Sequence, residues 1–167
     1  PVRSVGVKAD LRSYEQPVLL WGSLDMARIE SLAARVFQEV SGTNRCVVDL
    51  MGEGFTVARP LAATVTKERL DLLREADAIV MAALRRHNLT REVWQCPTVF
   101  VPLELNGSGR EFCVIRPILS ERGMTARAAL LPADLLTELR DALLALPGLS
   151  GVGLDVTTKP PGTIEWE

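Results

Sequence analysis

"PTVFVPLELNGSGREFCVIRPIL", residues 97–119, reads as two apolar runs on either side of a turn. Both "PTVFVPLEL" and "EFCVIRPIL" are rich in Val, Ile, Phe and Leu, which suit a half-buried pleated surface. Between them, "NGSGR" puts Gly107 and Gly109 where a chain reversal needs flexible backbone. The pattern predicts two strands joined by a tight turn.

Downstream the hydrophobic period changes to that of a helix. Asp134 can cap a run in which Leu135, Leu136, Leu139, Leu143 and Leu146 share one face, and "PGLSG" ends it before a last strand, "VGLDVTT". The order is β, β, α, β. The same order is legible upstream. "RSVGVKA" and "QPVLLWG" are β-type runs separated by the turn-forming "DLRSYE". From Met26 to Val40, the residues Ile29, Leu32, Ala33, Val36, Phe37 and Val40 fall on one helical face, with Asp25 as N-cap and Gly42 as the stop. "NRCVVDLM" then reads as a buried strand. Few identities link the halves, so the repeat is one of pattern.

Between the copies lies the irregular "FTVARPLAATVT", followed by a long helix from about Lys67 to His87. Thr66 can cap it, Glu68 suits its positive end, and Arg85, Arg86 and His87 suit its negative end. Leu70, Leu73, Val80 and Leu84 form its expected buried stripe, and Arg69, Arg74 and Arg85 its expected solvated face. The predicted fold class is α+β: two ββαβ units, with antiparallel or mixed sheets and helices on one face, joined by the long helix. The expected division is residues 1–58 as a first lobe, 59–92 as linker and long helix, and 93–167 as a second lobe with a C-terminal tail.

Composition narrows the function classes. The 167 residues are 47% hydrophobic and 24% charged, enough to bury a real core. Nineteen basic against 21 acidic residues give a formal charge of -2, with no blocks of one sign, which argues against a general polyanion binder or a membrane-surface protein. No apolar run of about twenty residues is present, and the first ten residues have no signal-peptide pattern, so a cytoplasmic location is expected. Cys46, Cys96 and Cys113 are far apart in apolar runs and read as buried free thiols. With His87 as the single histidine, a His/Cys zinc site or a Ser-His-Asp triad is hard to build, and no metal site is expected. Phosphate loops, dinucleotide fingerprints, nucleophile elbows and HExxH are absent. "GLSG" at 148–151 has the GXXG form of KH-type RNA-binding loops, but a strand is expected after it where that loop needs helices.

The tail "TTKPPGTIEWE", residues 157–167, is too stiff and too specific for a frayed end. Together with "SVGVKADLRSYEQPV" and "GMTARAALLP", it resembles the C-terminal domain of the GMP synthases, and "WQCPTVFVPLEL" with the long helix resembles the extended two-lobed form of eukaryotic-type enzymes. The resemblance implies the XMP-binding and association module of a ligase, either part of a longer protein or encoded separately. In such enzymes an amidotransferase domain releases ammonia from glutamine, and a PP-loop ATP pyrophosphatase domain uses ATP and Mg to adenylate XMP. Neither domain's signature is in this chain, which is therefore expected to be inactive alone and to bind no cofactor itself. Its expected partners are XMP, those two domains, and either a second copy in a homodimer or its own other half in an internal pseudo-dimer.

Matched to the family motifs, the XMP contacts fall on Asp10, Gln95, Lys159 and Glu165, with Arg12 as a secondary candidate for the phosphate. Lys159 offers a point charge to a dianionic phosphate and Gln95 an amide donor. Glu165 and Asp10 accept, which suits ribose hydroxyls and purine N–H groups. Pro160 and Pro161 fix two φ angles and lower the entropy cost of presenting Lys159 and Glu165. One departure stands out: "SERGMT" has Arg122 nearest the "MT" where family members often carry an acid. Trp166 is read either as a lid on the nucleotide or as a core residue. Two other classes remain at this stage: a non-catalytic association module, and a KH-like nucleic-acid binder, which the charge balance disfavours.

Overall fold

Pro102 divides the apolar run with which the reading began. A proline has no N–H to give a ladder, and here strand β5 (Thr98–Val101) stops before it while β6 (Leu103–Leu105) leaves in another direction. The computed structural model describes residues 2–8, 11–23 and 25–166. After the turn, where Asn106 (φ 55°) and Gly107 (φ 71°) both take left-handed backbone, β7 (Glu111–Ile115) returns antiparallel to β5. A small β8–β9 ladder (Ile118–Leu119 with Arg127–Ala128), α3 (Ala133–Leu144) and β10 (Leu149–Asp155) complete this half. The first half runs β1 (Ser4–Lys8), β2 (Leu11–Leu20), α1 (Ile29–Glu39) and β3 (Thr43–Asp49). Between the halves lie β4 (Ala58–Pro60), paired with β6, and α2 (Lys67–Arg86).

The main sheet has the order β1-β2-β3-β10-β7-β5 and is continuous across both halves. Each half pairs its middle strand parallel to its last strand, through a helical crossover, and the two last strands meet antiparallel. The register makes the repeat exact in geometry. Val18, Leu19 and Leu20 face Cys46, Val47 and Val48, as Cys113, Val114 and Ile115 face Val152, Gly153 and Leu154. Both ladders skip one residue at the same place, Asn44 in β3 and Ser150 in β10. At the centre Val48 pairs with Leu154, flanked by Asp49 with Gly153 and Val47 with Asp155. A pseudo-two-fold axis therefore passes between Val48 and Leu154. The α+β prediction and the two ββαβ units hold.

All three helices cover one face of the sheet. Ile29 and Ala33 of α1, Ala76, Val80 and Leu84 of α2, and Leu135, Leu139 and Leu143 of α3 pack with Cys46, Val48, Cys113, Ile115, Val152 and Leu154. Each leucine so buried contributes roughly 1.5–3 kcal/mol relative to exposure. On the other face Val47, Val101, Leu105, Phe112 and Val114 form a smaller cluster. The three cysteines are buried and free, and burial, first among the causes, pushes each thiol up to about 12. No described helix is long and apolar enough to cross a membrane.

Several local expectations need correction. Leu11–Glu15, read as part of a turn, belongs to β2 and pairs residue for residue with β1, because hairpin pairing outweighs the turn preference of its polar residues. The stretch read as irregular contains β4. On α2, Leu70 is exposed and Ala76 and Ala83 complete the buried stripe, while Arg69 leaves the solvated face to grip Glu111 with two hydrogen bonds of 2.9 and 2.7 Å. Asp134 lies in the first turn of α3 and the cap position is Pro132. Thr66 caps α2 as expected, accepting from the Arg69 N–H. Asp25 instead caps a single 3-10 turn, Met26–Arg28, accepting from the Ala27 N–H, and α1 begins after it with Arg28 at its cap position.

Candidate functional site

Past Asp155 the chain leaves the sheet and folds back across the end of β1 and β10. Val7 donates its N–H to the Pro161 carbonyl at 2.7 Å, and Gly6 bridges Gly162. A Cβ at Gly6 would lie 2.5 Å from that carbonyl oxygen, so only glycine permits the contact. On its other side the tail pairs with the β8–β9 region: Lys159 donates its N–H to the Ala126 carbonyl at 2.7 Å, and its own carbonyl accepts from the Ala126 N–H at 3.2 Å. The Lys159 Nζ donates to the Gly123 carbonyl at 2.5 Å.

Beneath the tail sits a buried charge cluster. Asp155 accepts from Arg45 Nη1 at 3.1 Å, the Trp166 indole at 2.8 Å and the Thr157 N–H at 2.8 Å, and forms an ion pair with Arg116 Nη1 at 2.9 Å. Arg116 also donates to the carbonyls of Thr157 (3.0 Å), Thr163 (2.9 Å) and Ile164 (3.0 Å). Arg45 reaches the Val5 carbonyl at 3.1 Å, the Thr163 hydroxyl at 2.8 Å and the Glu165 carbonyl, and its guanidinium lies 5.0 Å from the centre of the Trp166 ring. Burial pulls the Arg45 pKa down to about 10, against the pull of Asp155, so the guanidinium stays charged at neutral pH. Trp166 is thus a packing and anchoring residue.

The residues named from sequence divide into three groups. Arg12, Lys159 and Glu165, from β2 and the tail, line one cavity of ≈ 290 Å³ together with Val5, Thr163 and Ile164. Two cations and one carboxylate around one opening favour an anion that also carries hydroxyl or N–H donors. Gln95 does not line this cavity. Its backbone pairs with Ile118 on the far side of the β8–β9 ladder from Lys159, three strand spacings or roughly 14 Å away. Asp10 lies outside the described residues. Beside the cavity, the same ladder borders a larger and more open cleft of ≈ 890 Å³ that includes Glu92, Glu121, Arg122, Met124 and Arg127. Its charged residues are mixed in sign. Among the described residues no three His, Cys, Asp or Glu side chains gather as metal ligands would.

Sequence reading missed Arg45, Arg116 and Asp155. The signal was present: Arg45 in "NRCVVDLM", Arg116 in "EFCVIRPIL" and Asp155 in "VGLDVTT" are charges set within apolar runs, where a charge buries only when paired.

A mixed sheet with an inserted ladder and a tail pinned over one end defines an α+β module with a small charged cavity beside the tail. Residues 82–166 match the family described as the GMP synthase C terminal domain, and the chain belongs to that family. The GMP synthase [glutamine-hydrolyzing] of Leifsonia xyli subsp. xyli is 46% identical over 115 residues, covering 64% of this chain and 23% of its own length. That of Streptomyces avermitilis is 46% identical over the same share of this chain. The probable GMP synthase [glutamine-hydrolyzing] of Leptospira interrogans serovar Lai is 34% identical over 100% of this chain and 28% of its own length. The chain thus spans about a quarter of the length of these relatives.

Proposed function

We propose that this chain is the XMP-binding and association part of a glutamine-hydrolysing GMP synthase, working in the cytoplasm with an amidotransferase domain and an ATP pyrophosphatase domain that uses ATP and Mg. The observation that carries the reading is the convergence of Arg12, Lys159 and Glu165 on one cavity. Lys159 and Arg12 meet the phosphate dianion, and Glu165 accepts from the ribose or the purine. At ≈ 290 Å³ the cavity is at the lower end of the range for ligand pockets, about 300–1,000 Å³, so another domain supplies part of the wall. Gln95, on the far side of the β8–β9 ladder, stands outside the cavity as this chain forms it. The chain alone forms no GMP.

Lys159→Ala in the full-length synthase should weaken XMP binding by the worth of a charge-assisted hydrogen bond, about 1.5–3 kcal/mol or roughly ten- to a hundred-fold. Glutamine hydrolysis should persist. An unchanged KM for XMP would remove the cavity from the reaction.

The β3–β10 pairing favours a second element of the reading. Two half-size subunits could meet at the same strand, so the chain acts as its own partner and is expected to sediment as a monomer. A tight dimer at all concentrations would contradict it.

A further inference from the structure

Two arginines hold the tail backbone at four carbonyls, those of Thr157, Thr163, Ile164 and Glu165, and both are anchored on the carboxylate of Asp155. Lys159 and Glu165, which line the cavity, project from the backbone so held. We infer that Arg45, Arg116 and Asp155 are positioning residues for the XMP cavity, to which the first half gives Val5 and Arg12 directly and Arg45 through the tail it holds. This rests on the reading of the cavity as an XMP site.

The geometry suits the task. Each guanidinium is planar, and one fork spans acceptors that a chain without regular structure could not otherwise hold in register. Arg45 contacts Asp155 through Nη1 and the tail through Nη2, so the carboxylate fixes the plane in which the tail contacts lie. Asp155 is itself held by the Thr157 N–H and the Trp166 indole. A shift of this frame moves both cavity residues at once, whereas loss of one cavity side chain leaves the other in place. The inserted β8–β9 ladder fixes Lys159 from the opposite side, through Ala126 and Gly123. The cluster and the ladder therefore hold the lysine between them.

The test is made in the full-length synthase. Arg45→Lys keeps a cation beside Asp155, and so the charge balance of the interior, but a single ammonium cannot also span Thr163 and Glu165. Its KM for XMP should rise about five- to twenty-fold, less than the full worth of a charge-assisted hydrogen bond because the effect reaches the ligand only through the tail, with kcat within about two-fold and the melting temperature within a few degrees. A purely structural role would lower the melting temperature and leave KM alone. Trp166→Phe removes the indole N–H to Asp155 together with part of the ring's packing, and keeps an aromatic ring beside Arg45. It should raise KM about two- to five-fold, and it stands as the deciding variant should Arg45→Lys fail to fold. Lys159→Ala is run in parallel. If Lys159→Ala raises KM for XMP while Arg45→Lys, or Trp166→Phe in its place, matches the parent, the positioning role is overturned and the cavity reading survives. If Lys159→Ala leaves KM unchanged, the reading and this inference fall together.

Discussion

Asp49 and Asp155 end the two central strands at equivalent positions, and both carboxylates accept from the N–H two residues on, Met51 in one case and Thr157 in the other. Around them the halves part company. Asp155 is gripped by Arg45 and Arg116. The equivalents of those arginines beside Asp49 are Gly151 and Trp21, and burial raises the Asp49 pKa with only backbone N–H donors opposing it. The connection from the middle strand to the helix differs too. It runs from Leu20 to Ile29 in the first half but from Ile115 to Leu135 in the second, which is longer by the eleven residues of the β8–β9 ladder. A shared backbone plan therefore carries a paired charge cluster and an inserted ladder in one half only, and these hold the tail against β1 and β2 of the other, where the cavity opens.

The contrast can be broken at several points. Asp155→Asn should cost about 3–5 kcal/mol in urea unfolding, since two buried guanidinium groups lose their counter-charge. If it cost no more than Asp49→Asn, the asymmetry would have no energetic content. Gly6→Ala should cost about 1–3 kcal/mol by forcing β1 away from the Pro161 carbonyl, and should loosen the tail enough to alter Trp166 fluorescence. Unchanged stability would mean that the tail yields at this contact.

Asp49→Asn should leave stability at pH 7 equal or higher. The folded pKa is raised, so the favourable contribution of Asp49 is full below its unfolded pKa and is lost as pH rises through the folded value. The amide keeps the turn acceptor without that loss, and the gap should close on acidification. A destabilised variant at neutral pH would point to an unrecognised cation beside Asp49. The smallest effect is expected at Glu138, whose pKa is lowered by hydrogen bonds from Arg86, the last residue of α2, and then from His87, its C-cap. Its contribution is present above the unfolded pKa and is lost as pH falls through the folded value, so Glu138→Gln should be slightly less stable at pH 7 and indistinguishable in strong acid. Thermal melts across pH would show this.

The repeat was legible because helix and strand periods recur in both halves, and Ile29 with Ala33 and Leu135 with Leu139 carry the same buried stripe. The β8–β9 ladder was not, since its strands are two residues each and show no period. Lys159 and Glu165 could be named from the tail motif. The partners of Arg45 could not, because the guanidinium meets Asp155 across 110 positions of sequence and nothing local encodes that meeting. Gln95 illustrates the opposite limit: a motif names the residue, yet in this chain its place lies across a ladder from the cavity.

The position of β10 has a consequence for how the chain folds. It is the final strand of the sheet in chain order, yet it lies between β3 and β7 in space. Until it arrives, both of those strands present open edges, and the contacts that close β3, such as Val48 with Leu154, span most of the sequence, which raises the contact order and slows folding. During synthesis the first half should wait as a partly formed unit whose exposed edge can accept the corresponding strand of another copy. Exchange of β10 between neighbouring molecules is then the characteristic misassembly of this architecture.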